Sequence, residues 1–240
     1  MPYCTSRPIF TYFNDVRGGL LKNRLLSLAA SAALILTTAA HSAHAAEQPA
    51  EAKYDQIFSS IDNLSVDFVQ TTYKKLRNKS TVRQGDALFS KPGMFRWNFT
   101  NDKAGLEEYY FNGERLTHFR QKENLVNHYA TNAGLARELK EVVTLVLDPK
   151  ALFSRYKVKD SKTANQKTTV TLEPKSKEGT DIETINVQVE DTEKYVEDVQ
   201  IFYNDGNNTR FSFKNPKKTK NDPAVFNFSR KGNYTIRNHG

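Results

Sequence analysis

The residues that could do chemistry are few, and their spacing does not suit it. His118 and His128 fall on extended segments of one sheet, but neither belongs to a short metal-ligand pair such as His-x3-His. Glu107-Glu108 could act as a general acid and base, yet neighbours on a strand face opposite sides and would not share a site. Asp181, Glu183, Glu190, Asp191 and Glu193 read as a solvated acidic face. The only cysteine, Cys4, lies in a segment expected to be removed, so no thiol nucleophile, disulfide or lipid-bearing cysteine remains. There is no phosphate loop, dinucleotide fingerprint or nucleophile elbow. The expectation is a protein that is not an enzyme, with no catalytic residue, no metal ligand and no cofactor.

What remains is apolar binding, and it centres on Gly85 to Phe99, GDALFSKPGMFRWNF. Two short strands meet at Lys91-Pro92-Gly93. Proline cannot donate to a ladder and biases Lys91 toward an extended conformation, while Gly93 tolerates positive φ, so the chain turns there. Side chains alternate faces with a period of two, which puts Ala87, Phe89 and Lys91 together and Phe95, Trp97 and Phe99 together. The result is a sheet corner with large aromatics on one face and one amine at the rim. Such a face either fills a core or lines a place for an apolar ligand.

Other elements must hold that corner in place. Tyr54, Ile57, Phe58 and Ile61 recur at helical spacing over Lys53 to Ile61. Leu64, Val66 and Phe68 alternate with polar residues, a strand. Asn112-Gly113 signals a two-residue hairpin between LEEYYF and ERLTHF. The spacing then predicts a helix whose stripe is Leu135, Leu139, Val142, Val143, Val146 and Leu147, ended by Pro149. Covering such a stripe is worth about 1.5–3 kcal/mol per buried side chain, so this helix must lie on something apolar, and the aromatic face is available. Strands resume at 155–159, 168–172, 182–189, 195–203 and 209–213, with Asp205-Gly206 as a hairpin turn and 214–223 as a polar loop broken by Pro216 and Pro223, and Phe226, Phe228 and Ile236 are expected to finish the chain in extended form. Many antiparallel strands with one lid-like helical insertion describe a mainly β fold with some α: a strongly curved sheet or incomplete barrel, in one domain.

Lysine and arginine number 35 against 27 acids in a chain of 240 residues, a net charge of +8. Lys22 and Arg24 precede the apolar run 25–40 and Ala43-His44-Ala45, the pattern of a secretory signal peptide. The expected organisation is a cleaved leader over 1–45, a polar tail over 46–52 and a folded domain over 53–240. Residues before Val16 fit neither leader nor fold, so translation is expected to start at Val16 or Leu20. Removal of the leader leaves 31 bases and 26 acids, or +5. That excess suits an anionic surface or headgroup, and no basic run is long enough to argue for nucleic acid.

The ordered set Phe68-x-Gln70, Gly85-x-Ala87-x-Phe89-x-Lys91-Pro92-Gly93-x-Phe95-Arg96-Trp97, Asn112-Gly113, Leu145 to Pro149 with Leu152 and Tyr156, Leu172 to Lys175, Asp205 to Asn207, and Phe226-x-Phe228 with Gly232 resembles the bacterial outer-membrane lipoprotein carrier family, LolA. The resemblance implies an unclosed antiparallel β-barrel with a helical lid over an apolar cavity. It implies a monomeric periplasmic chaperone that takes acylated lipoproteins from an inner-membrane ABC transporter to an outer-membrane acceptor, LolB. Each CH₂ removed from water is worth about 0.8 kcal/mol, so such cargo needs a shielding apolar lining and no reactive group. The implied acyl-binding residues are Phe68, Ala87, Phe89, Phe95, Trp97, Phe99, Leu139, Val142, Val143 and Val146. In that family an arginine before the proline holds the lid shut; Lys91 occupies the position and is the implied latch, donating to carbonyls at the lid's end near Leu147 and Asp148. Arg230-Lys231 replaces the family's Pro-Pro. The acceptor's cysteine after the leader is missing, since Ala46-Glu47 stands there. The alternative reading is a lipid, glycolipid or lipoprotein-sensing module of the same fold, and a secreted hydrolase is a third.

Overall fold

The computed structural model describes residues 50–58, 61–100, 105–130, 134–220 and 222–239. The expected leader, 1–45, lies outside them, as do the side chains of Ile57, Phe58 and Leu135. Residues Ala46–Gly240 form one compact unit.

Helix α1 (Ala50–Phe58) starts three residues before the expected Lys53 and ends before Ile61. Alanine and glutamate favour a helix, and Glu51 sits in its first turn, where the dipole welcomes a negative charge. Strand β1 (Asn63–Lys74) pairs with β2 (Lys79–Ser90), which turns at a cis Lys91-Pro92 bond into β3 (Met94–Thr100). β4 (Glu107–Phe111), β5 (Leu116–Arg120) and β6 (Leu125–Tyr129) follow as a meander. Helices α2 (Gly134–Leu147) and α3 (Pro149–Arg155) interrupt the strands. β7 (Tyr156–Ala164), β8 (Lys167–Pro174), β9 (Ile182–Glu190), β10 (Tyr195–Tyr203) and β11 (Asn208–Lys218) complete a second run of strands. β12 (Thr235–His239) adds to the edge parallel to β6.

The described strands form one twelve-stranded sheet in the order β12-β6-β5-β4-β3-β2-β1-β11-β10-β9-β8-β7. Its two edges, β12 and β7, do not pair, so the sheet is curved and unclosed. Gly85 sits where β2 is squeezed between β1 and β3. A Cβ there would lie 1.7 Å from the Asn98 carbonyl oxygen, so only glycine permits the approach.

Four local expectations are corrected. Pro149 ends α2 but also opens α3: the Asp148 side chain accepts from the Ala151 N–H at 3.0 Å, and proline at the first helical position needs no donor. The Asn112-Gly113 turn is a four-residue loop, because Phe111 pairs with Leu116 and the Asn112 Oδ1 captures the N–H groups of Glu114 and Arg115, each at 3.0 Å. The 214–223 segment is strand as far as Lys218. Pro216 is tolerated beside a bulge, where Asn215 has φ 52° and donates to the Asp67 carboxylate at 2.7 Å. The end of the chain is not simply extended, since Pro223–Phe226 forms a 3-10 turn before β12.

That last segment covers the convex face of β4 and β5. Phe228 packs on Tyr110 and Phe119, and Tyr234 on Phe119. Arg230 forms a forked pair with Glu108, at 2.6 and 2.9 Å.

Candidate functional site

The concave face of the sheet begins as the strand alternation demands. On β1 to β3, residues Phe68, Ala87, Phe89, Phe95, Trp97 and Phe99 point inward and are at most 2% exposed. Trp97 is the hub, with ring centroids of Phe68 at 4.6 Å, Phe89 at 5.1 Å and Phe211 at 5.4 Å. Phe95 stacks on Phe111 at 5.3 Å. From above, α2 lowers Leu139, Val142, Val143 and Val146 onto these rings. All ten expected binding residues thus fall in one buried cluster, and side chains fill the space between lid and sheet. The indole Nε1 of Trp97 has no hydrogen-bond partner there.

Among the described residues, polar contacts fasten the lid at several points. The Tyr54 hydroxyl of α1 donates to the Leu145 carbonyl of α2. In a continuous helix that carbonyl would accept from residue 149, but residue 149 is proline and has no N–H. Burial pushes the Tyr54 pKa up, which keeps the hydroxyl a donor. A second fastening joins Glu141 of α2 to Arg155 at the end of α3. A third sets the Lys140 ammonium 5.0 Å from the centroid of the Phe111 ring. Lys91 lies at the corner as expected, with its ammonium 3.7 Å from the Asp62 carboxylate and its backbone N–H on the Asp62 carbonyl at 2.9 Å. The Asp148 carbonyl near the lid's end accepts from the Leu152 N–H at 3.0 Å.

Beside this cluster the concave face opens into a cavity of about 1010 Å³. Its floor continues the apolar wall through Ile201, Ile182, Tyr156 and Tyr203. Its sides are polar, with Gln70, Thr72 and Lys74 from β1, Thr81 and Arg83 from β2, and the Glu141–Arg155 pair. None of the ten cluster residues, nor Lys91, lines it.

The family model of the outer membrane lipoprotein carrier protein LolA matches residues 59–229. The chain belongs to the LolA family. No curated protein sequence matches it. Among solved structures, an uncharacterized conserved protein of Thermus thermophilus superposes with a TM-score of 0.50 at 7% identity, covering 78% of this chain and 96% of that one, and so shares the fold. A LolA superfamily protein of Nitrosomonas europaea matches with a TM-score of 0.43 at 8% identity, over 74% of this chain and 95% of that one. The Pseudomonas aeruginosa MucA/MucB complex matches with a TM-score of 0.36 at 11% identity, over 75% of this chain and 61% of that one. Membership in the LolA family supports an extracytoplasmic module that binds lipid or lipoprotein.

The two adjacent acids of β4 in this LolA-family sheet are each held by basic side chains. Glu107 and Glu108 face opposite sides of β4. Glu107 turns inward, where it meets Arg83, the Tyr109 hydroxyl at 2.6 Å and His118 Nε2 at 2.7 Å. Burial alone would raise its pKa, but hydrogen bonds from His118 and Tyr109 and the Arg83 charge outweigh it and lower the value to about 2. Glu108 turns outward between Arg96 and Arg230; burial again opposes ionisation, and the two guanidinium groups bring the pKa down. His128 meets the Thr117 hydroxyl at 3.1 Å. Among the described residues no group of three His, Cys, Asp or Glu is placed to hold a metal ion. No described helix is long and apolar enough to cross a membrane.

Sequence reasoning missed Tyr54, Glu141 and Arg155 as lid contacts, and Phe211 and Phe213 as part of the aromatic wall. Proline four residues beyond Leu145 was the available signal for an unsatisfied carbonyl. The alternation Thr209, Phe211, Phe213 was the signal for the wall.

Proposed function

We propose that this protein is a non-catalytic periplasmic carrier of acylated lipoproteins. It receives them from an inner-membrane transporter and delivers them to an outer-membrane acceptor of the LolB kind. The supporting observation is the inner face itself, a buried and largely aromatic cluster beneath α2 that also contains Ile201 and Tyr156 of the floor of the 1010 Å³ cavity. In this reading the structure is the closed, cargo-free state. Acyl chains displace α2 and lie against Phe68, Ala87, Phe89, Phe95, Trp97 and Phe99, with Leu139, Val142, Val143 and Val146 as the moving cover. The polar sides of the cavity hold the glyceryl and peptide portion. Lys91 at the corner, beside Asp62, is the latch of the lid, and the Tyr54 hydroxyl of α1 is a further fastening. Residues 1–45 act as a cleaved leader, so the mature chain begins at Ala46 and works as a monomer. A second reading, a shuttle for free lipid or glycolipid, draws on the polar cavity wall, which suits a headgroup as well as a peptide.

The test is mass spectrometry of the exported protein purified from its own cells. Triacylated lipoprotein bound in stoichiometric amount is the expected result. Free phospholipid or glycolipid in its place would favour the shuttle, and an empty protein with an inert lid would overturn both.

A further inference from the structure

Outside the lid and cavity, the β1–β2 hairpin tip combines features that the carrier reading leaves unused. From Gln70 to Gly85 the chain holds no acid and five bases, Lys74, Lys75, Arg77, Lys79 and Arg83. At the apex stands Leu76, 98% exposed, and Val82 on the same hairpin is 63% exposed. Of the large apolar side chains that are exposed among the described residues, only Ile236 lies elsewhere.

The tip is built rather than loose. Lys75 to Arg77 forms a 3-10 turn closed by Asn78 in the left-handed region, with φ 43°. The Tyr73 hydroxyl donates to Asn78 Oδ1 at 3.1 Å, and the Lys75 N–H donates to Asn207 Oδ1 at 2.9 Å, which ties the tip to the β10–β11 turn. Gly206 in that turn, at φ 79°, leaves room for the Lys75 stem, since a Cβ there would lie 2.4 Å from Lys75 Cδ. Lys74, Thr81 and Asn207 also line the cavity, so the tip stands at the cavity's rim.

We infer that this tip is a membrane-docking finger, which sets the cavity mouth against a bilayer rich in anionic lipid. A single aliphatic side chain held out on a turn and ringed by cations matches a headgroup layer. Leucine passes below the phosphates while lysine and arginine stay among them. A protein partner would instead be met by a broader patch with aromatic anchors, which this convex tip does not have.

The experiment is sedimentation of the exported protein with vesicles of phosphatidylglycerol and phosphatidylethanolamine, against vesicles of phosphatidylcholine. Binding to the anionic vesicles should be at least about tenfold stronger and should fall with salt. Leu76→Ser should reduce it about fivefold. Arg77→Gln with Lys79→Gln should abolish the preference between the two lipids. All these side chains are exposed, so circular dichroism should not change. Equal binding to both vesicles, or full binding by Leu76→Ser, would overturn the inference. So would Leu76-dependent binding to polyglutamate as tight as to vesicles, which would assign the tip to an acidic protein. Bound cargo is measured on the same samples. Loss of Leu76-dependent docking in protein that still carries lipoprotein defeats this inference alone, whereas Leu76-dependent docking by protein that takes up no lipoprotein when it is supplied and whose lid is inert defeats the carrier reading alone.

Discussion

Leu145 shows how one residue can place a latch. Its carbonyl has lost the amide partner that any residue but proline at position 149 would provide, and the Tyr54 hydroxyl replaces that partner from another helix. Tyr54→Phe keeps the ring, which packs edge-on against Phe153 at 5.6 Å, and removes only the donor. A buried acceptor left without a partner costs about 1–3 kcal/mol, so α2 amides should exchange roughly tenfold faster or more while global stability falls by no more than that amount. Unchanged exchange would show that water serves the carbonyl equally well. A second residue-scale expectation concerns acid. The folded pKa of Glu107, about 2, lies below its ordinary value of 4.5, so the carboxylate's contribution is complete above pH 4.5 and disappears as pH falls through about 2. That difference amounts to about 3 kcal/mol. Glu107→Gln should flatten the acid limb of stability measured by urea unfolding between those values; an acid limb as steep as the wild type's would place the titration elsewhere.

Elements explain what could and could not be read in advance. The aromatic wall was legible because a strand's period of two is local: Phe95, Trp97 and Phe99 share a face whatever surrounds them. The lid stripe was legible for the same reason at a period of 3.6. α3 was hidden because Pro149 reads first as a stop, though aspartate followed by proline is equally a helix start. β11 runs past Pro216 because a bulge removes the ladder position that proline would spoil, and a bulge depends on its partner strand. The cavity could not be read at all, since 70–83, 141, 154–156, 174–182 and 201–209 meet only after the sheet curls. Gly85 is one place where that curl is decided. In Gly85→Ala the new methyl meets the Asn98 carbonyl oxygen at 1.7 Å, a backbone atom that can retreat only by parting β2 from β3. The loss should be about 3 kcal/mol or more, at the upper end of overpacking, visible as a lower urea midpoint. A variant within about 0.5 kcal/mol of the wild type would mean the strands do not approach so closely.

At the scale of the molecule, a strongly packed sheet meets a lightly fastened helix, α2. Trp97 and its neighbours bury the inner wall completely and tie β1, β2, β3 and β11 together, so those strands should open only with global unfolding. By contrast, the described polar contacts of α2, beyond its apolar stripe, include the Tyr54 hydroxyl, the Glu141–Arg155 pair half open to the cavity and the Lys140 cation over a ring. The packed helix also leaves the Trp97 indole N–H buried without a partner among the described residues, a cost that an opening to water can relieve. These unequal fastenings predict two exchange classes. In native-state hydrogen exchange at low urea, amides of 139–147 should exchange through a sub-global opening with little denaturant dependence. Amides of Phe68, Ala87 and Phe213 should follow the global transition. Adding a triacylated lipopeptide should then act in opposite directions, slowing the sheet amides by mass action while α2 amides stay fast or quicken, because cargo occupies the wall that the lid has left. A free fatty acid too short to bridge wall and floor should produce the first effect weakly and the second not at all. If α2 and the sheet exchange together, with and without the lipopeptide, the helix is a fixed part of the core, and cargo has to bind in the open cavity alone.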